Sequence, residues 1–199
     1  MLFVFSPTLE NYHHLFFKTG FLKEFWNTLI VAVFSTALVM VVSLPAAYSF
    51  SRYNTGHGHL LFITISTRMF PGAVAAIPFF FGFKALGLLD TTFGLTVLYL
   101  YFNMSFAIFR KVIFPLIKPG AAITAIFCLV FSWNEFLFAF LFTRTAARTV
   151  NIGLSTFWTA TGMNWGAMAG CTAAAIIPTL AGCLVHAELH HPGIDLRCG

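Results

Sequence analysis

Charge is the scarcest property of this sequence. Asp, Glu, Lys and Arg make up only 9% of its 199 residues, against roughly a quarter in a soluble domain. That leaves too little polar surface to cover a water-soluble globule. The net charge of +5 is spread along the chain and forms no basic face, so it carries no nucleic-acid signal; in a bilayer protein it fits contact with anionic lipid. Cysteine is scarce too. Cys128, Cys171, Cys183 and Cys198 form no CxxC pair and three lie in apolar runs, which reads as small packing residues and not as a disulfide or metal framework. No glycine-rich phosphate loop and no Ser–His–Asp or Cys–His arrangement is present, so no catalytic residue and no cofactor are expected. Of the seven histidines, His186, His190 and His191 would share a helix face, but a zinc-protease helix needs Glu after the first His, and Ala187 stands there. No metal is expected. The start, Met1 to Phe5, lacks the basic flank and the length of a signal peptide.

What the chain has in abundance is apolar residues, 59% of the total, with 26 Phe. They fall into five runs: Asn27 to Phe50, Leu60 to Phe83, Thr91 to Phe109, Pro119 to Phe142, and about Gly166 to Val185. Each is near the ~20 residues a membrane-spanning helix requires. Backbone polar groups in lipid must be satisfied within the segment, and the solid apolar runs lack the alternation of a β-barrel. The expected fold is therefore all-α, a polytopic bundle of five transmembrane helices. Arg68, Pro71, Gly72 and Pro78 interrupt the second run, and Glu135 the fourth. Residues 51–59 and 84–90 read as tight polar turns, and 144–165 as an amphipathic connection with room for a short interfacial helix. Basic residues tie at five on each side of the bilayer, so charge alone does not orient the bundle.

Several segments, in order, carry a resemblance: Thr8 to Tyr12 with Phe25-Trp-Asn-Thr-Leu-Ile30, Ala46 to Tyr53, Thr67 to Gly72, Leu86-Gly-Leu-Leu-Asp-Thr91, Phe109 to Gly120, Phe131-Ser-Trp-Asn-Glu-Phe136, and Asn164 to Gly166. Together they resemble the permease subunits of binding-protein-dependent sugar importers of the ABC superfamily, in particular those similar to the maltose-system G-type permease. The resemblance implies the type-1 transmembrane fold, residence in the inner membrane with the N-terminus outside and the C-terminus cytoplasmic, and three kinds of partner: a second permease subunit, a cytoplasmic ATPase dimer and a periplasmic sugar-binding protein. It implies no enzyme activity, ATP hydrolysis residing in the ATPase. It divides the chain into a periplasmic lead-in (1–24), the transmembrane domain (25–187) and an atypical cytoplasmic tail (188–199).

The departures set further expectations. The family's first helix is missing from the sequence. Of the Glu-Ala-Ala coupling motif only the trailing part survives, with Arg110, Lys111, Ile113 and Pro115 as the coupling-loop remnant. With only about nine residues between the third and fourth spans, ~13 Å if helical, a projecting coupling helix does not fit, and ATP-driven uptake by this chain is not expected. A non-transporting membrane remnant or scaffold is the alternative, and a secondary transporter a third reading. The pathway or inter-helix candidates are Arg68, Asn103, Trp133, Asn134 and Glu135. Charge inside the bilayer is costly, so Arg68 should face protein or water, where Glu135 is a possible ion partner. Trp133 and Glu135 could instead meet sugar, and Asn103 should make a helix–helix hydrogen bond.

Overall fold

The computed structural model describes residues 10–53, 59–66, 72–113, 119–159, 162–163 and 165–190. The order is α1 (Glu10–Lys18), α2 (Phe21–Tyr53), α3 (His59–Ser66), α4 (Gly72–Ala85), α5 (Thr92–Ile113), α6 (Pro119–Asn134), α7 (Leu137–Phe142), α8 (Val150–Ser155), β1 (Trp158–Thr159), β2 (Gly162–Met163) and α9 (Trp165–His190). The all-α class is observed; β1 and β2 are a two-residue antiparallel hairpin. The helix count is a correction, with nine helical segments among the described residues where five were expected. Among the described residues the second apolar run carries α3 and α4, and the fourth is divided into α6 and α7. The other two additions are α1 and α8, the latter within the amphipathic connection.

Helix α2 is the axis of the bundle. Its stretch Phe21–Ser49 is long and apolar enough to cross a bilayer, and the helix runs on through Pro45. It packs against α5 and α6 together, α1 lies on α9, α3 on α5, and α4 on α7. Three apolar clusters result. The largest joins α4, α5 and α7 through Phe83, Leu98, Tyr99, Phe138 and Phe142. A second joins α1, α8 and α9 around Leu15, Val150 and Cys171. The third, with Val39, Ala107 and Cys128, lies between α2, α5 and α6. Cys128 and Cys171 are buried and take part in no disulfide, as packing residues should be.

The connection between α4 and α5 is built residue by residue from Leu86-Gly-Leu-Leu-Asp-Thr91. Gly87 takes φ +67° and ends α4: Leu88 N donates to Phe83 O (2.9 Å) and Gly87 N to Lys84 O (3.2 Å), the paired bonds of a Schellman ending. Leu88 then packs on the cluster that holds Phe83. Thr91 opens α5, its Oγ1 accepting from Gly94 N at 3.0 Å, which satisfies one donor of the new helix.

Candidate functional site

Two polar constructions interrupt the apolar bundle. The first surrounds the break between α6 and α7. Ending a helix inside a span frees carbonyls that lipid cannot satisfy. Here side chains from other helices take them: Asn151 Nδ2 donates to Trp133 O (2.8 Å) and Glu135 O (3.4 Å), and Tyr99 Oη donates to Glu135 O (3.3 Å). The Glu135 carboxylate accepts from Phe138 N at 3.2 Å, so it satisfies an opening N–H of α7. One turn earlier a buried relay crosses three helices. Asn103 Nδ2 on α5 donates to Ser132 Oγ on α6 (2.8 Å), which lies 3.1 Å from Ser35 Oγ on α2. Ser35 Oγ donates to Ala32 O at 3.2 Å, so its single proton is committed and Ser132 is the donor between the two hydroxyls.

The second construction holds the strap of residues 143–153. Asp90, at φ +56°, donates its N–H to Phe142 O at 2.8 Å. Its carboxylate collects the N–H groups of Arg144 (2.8 Å), Thr145, Ala146 and Ala147 (3.0 to 3.1 Å) together with Thr145 Oγ1 at 3.2 Å. Burial alone would push this carboxyl up, but the four backbone N–H groups outweigh it and hold it well below the usual carboxylate range.

From the other side, the first turns of α2 hold the same strap. Asn27 Nδ2 donates to Ala146 O (2.9 Å) and Arg148 O (3.0 Å), and Lys23 Nζ to Thr145 O (3.2 Å). Thr28 Oγ1 accepts from Val150 N at 2.9 Å. Glu24 Oε1 lies 3.0 Å from Arg148 Nε. That N–H is not aligned on the oxygen, so the contact is an ion pair and not a hydrogen bond. Gly153 faces Glu24 so closely that an added Cβ would overlap the carboxylate.

The sequence candidates divide accordingly. Asn103 makes an inter-helix hydrogen bond and is buried. Trp133 is only 2% exposed, donates Nε1 to Ala175 O on α9 at 3.0 Å and meets Phe25 edge-on. Its ring is enclosed by helices. Asn134 is exposed and bonds back to Val130 O at 2.8 Å. Glu135 is half-buried at the helix break. Arg68 and Pro115 lie outside the described residues. Arg110, Lys111 and Ile113 belong to α5. Glu24, Asn27, Asp90, Arg148 and Gly153 were not singled out as site residues. Asn27 and Asp90 do sit inside the segments Phe25–Ile30 and Leu86–Thr91, which is the signal that would have pointed to them. Among the described residues no three His, Cys, Asp or Glu side chains gather as a metal site, and nothing in either construction is a nucleophile with its base.

No protein-family model matches the chain. Probable ABC transporter permease protein y4oR of Sinorhizobium fredii is 30% identical over 207 residues, covering 90% of this chain and 75% of the relative. Trehalose transport system permease protein SugB of Mycobacterium tuberculosis is 29% identical over 182 residues, covering 76% and 66%. Sulfoquinovosyl glycerol transport system permease protein SmoH of Agrobacterium fabrum is 28% identical over 207 residues, covering 88% and 72%. Among solved structures, a bacterial ABC transporter involved in the import of the acidic polysaccharide alginate superposes with a TM-score of 0.71 at 20% identity, covering 92% of this chain and 80% of that one. That likeness establishes the fold.

Proposed function

The chain belongs to the ABC transporter permeases, and from that premise we propose that it is a membrane-spanning subunit of a binding-protein-dependent sugar importer. The observation that carries the reading is the 30% identity to a permease along 90% of the chain. Relatives named for trehalose and for sulfoquinovosyl glycerol transport support carbohydrate as the substrate class. In this reading the chain pairs with a second permease, receives sugar from a periplasmic binding protein and depends on a separate ATPase dimer. The N-terminus is outside, so residues 1–24 are a periplasmic lead-in and 188–199 a cytoplasmic tail. The strap and the α4–α5 turn then lie at the outer end of the bundle. Sugar would meet Asn134 and Glu135 at the helix break, while Asn103 and Trp133 set the helix packing. Arg68 remains a proposed pathway or inter-helix residue.

A second reading, a permease-derived subunit that does not couple to ATP, is favoured by one observation. Only about nine residues, Arg110 to Lys118, join the third and fourth apolar runs, and of the coupling-loop remnant Arg110, Lys111 and Ile113 lie in α5. Coupling requires ATP state to change contacts with the permease, in this family through a helix laid in a groove of the ATPase, and about nine residues of sequence give such a helix little room. Complementation separates the two. The chain is expressed with a partner permease, ATPase and binding protein in a strain lacking the intact subunit, and labelled-sugar uptake and ATPase co-purification are measured. Sustained uptake with a bound ATPase supports the importer and removes the second reading. Co-purification of the partner permease without ATPase or uptake supports the second. Loss of both partners from a well-folded chain would refute a role in such a complex.

A further inference from the structure

A groove of about 750 Å³ runs between α4, α7 and the strap. Its walls are hydrocarbon: Ile77, Phe80 and Phe81 from α4 and Phe140 from α7 line it, with Ile77 65%, Phe81 64% and Phe140 56% exposed. Its polar lining comes from the strap and the end of α8: Arg144 and Arg148, with Thr143, Ser155 and Thr156. The two guanidinium groups differ. Arg148 is paired with Glu24. Arg144 is exposed, and among the described residues no carboxylate pairs with its side chain. Its backbone is fixed, because its N–H is held by Asp90 at 2.8 Å. The Asp90 carboxylate is itself engaged by four N–H groups of the strap. The same end of the bundle carries Lys23, Lys84, Arg144 and Arg148 against Glu24 and Asp90, an excess of positive charge.

We propose that this groove binds one anionic phospholipid of the surrounding bilayer, with an acyl chain along α4 and the phosphodiester at Arg144. The arrangement matches an amphiphile: a long apolar wall ending in a positioned cation at the depth where α7 leaves its apolar stretch. A sugar fits less well. Its hydroxyls would lie unpaired against Ile77, Phe81 and Phe140, at the full desolvation cost of each polar group. The charge excess favours an anionic headgroup over a zwitterionic one. The inference does not depend on which substrate the chain transports.

The test uses the full chain, purified in detergent and returned to nanodiscs of phosphatidylcholine with phosphatidylglycerol as the minority lipid. Native mass spectrometry then counts retained lipids. The wild-type chain should keep one phosphatidylglycerol with about fivefold enrichment over phosphatidylcholine, the factor one surface cation near a headgroup supplies. R144Q should lose that enrichment and R144K should keep most of it. I77W, which fills the apolar wall, should lose the lipid whatever its charge. L180W, at an exposed position of α9 away from the groove, should behave as wild type. Circular dichroism confirms that each variant remains helical, and I77W keeps the proposal testable if R144Q does not fold. Equal enrichment in wild type, R144Q and I77W would mean bulk electrostatic adsorption and overturn the proposal. So would an Ile77→Cys variant that crosslinks to a second permease subunit, or is shielded by sugar, while phosphatidylglycerol leaves it reactive.

Discussion

Glu24 and Arg148 meet with Oε1 and Nε 3.0 Å apart, in space that exists only because residue 153 has no Cβ. The pair ties the first turn of α2 to the strap that follows α7, and it is half-buried, so each partner relies on the other for part of its lost hydration. Gly153→Ala should therefore displace the Glu24 carboxylate and destabilise the protein by about 1–3 kcal/mol, the usual cost of overpacking. Thermal unfolding in detergent measures it. Glu24→Ala relieves the overlap, so the double variant should cost less than the two single changes added together. Strict additivity would mean the two residues do not interact.

Asp90 offers a second test, with a pH dependence of defined sign. Its carboxyl is held below the usual range in the folded protein, so its contribution is present above the unfolded pKa near 3.8 and is lost only as pH falls through the lower folded value. Proteolytic protection of the strap should stay flat from neutral pH down to about 5 and weaken only in stronger acid. Asp90→Asn should remove that acid dependence. It replaces one acceptor oxygen by an NH₂ that faces the N–H groups of Thr145 and Ala146. The cost should be about 1 kcal/mol, because water screens part of the effect. Protease nicking between Arg144 and Arg148 should accelerate.

Trp133 is a core residue in this structure, and Trp133→Phe tests that placement. The change removes the Nε1 donor to Ala175 O and part of a ring that is only 2% exposed, which together cost about 1–3 kcal/mol. Stability should fall by that amount while sugar affinity of the assembled transporter stays unchanged. Loss of affinity with unchanged stability would place the ring in the pathway instead.

The proposed orientation predicts a labelling pattern. Leu86 and Ala146 are exposed at the strap end, so Cys at either position should react with a membrane-impermeant maleimide added outside whole cells. Cys at position 147 should be protected, since Ala147 is only 1% exposed. Labelling of Leu86→Cys and Ala146→Cys only after the inner face is opened would invert the topology.

The candidate residues were partly legible. Asn103 follows from a rule, because a lone amide in an apolar span must find a partner across a helix interface. Glu135 marked the place where the fourth run breaks, since a charge there has no place in a continuous apolar helix. Which groups would satisfy the freed carbonyls was not legible, because Tyr99 and Asn151 are distant in sequence and ordinary in composition. Asp90 and Asn27 lay inside recognisable segments, yet their roles depend on a strap more than fifty residues downstream of Asp90.

By itself the sequence determined the solvent and the class of element. A chain 59% hydrophobic and 9% charged belongs in lipid, and lipid admits only segments that satisfy their own backbone. It also determined where those segments run, because the apolar stretches and their proline, glycine and charged interruptions are local properties. Tertiary structure alone decided which polar side chains answer which backbone groups. Asp90 clasping residues 144–147, Glu24 meeting Arg148 over Gly153, and Ser132 joining Asn103 to Ser35 are all long-range pairings. Periodicity cannot encode them, because each depends on helices far apart in the chain being brought side by side.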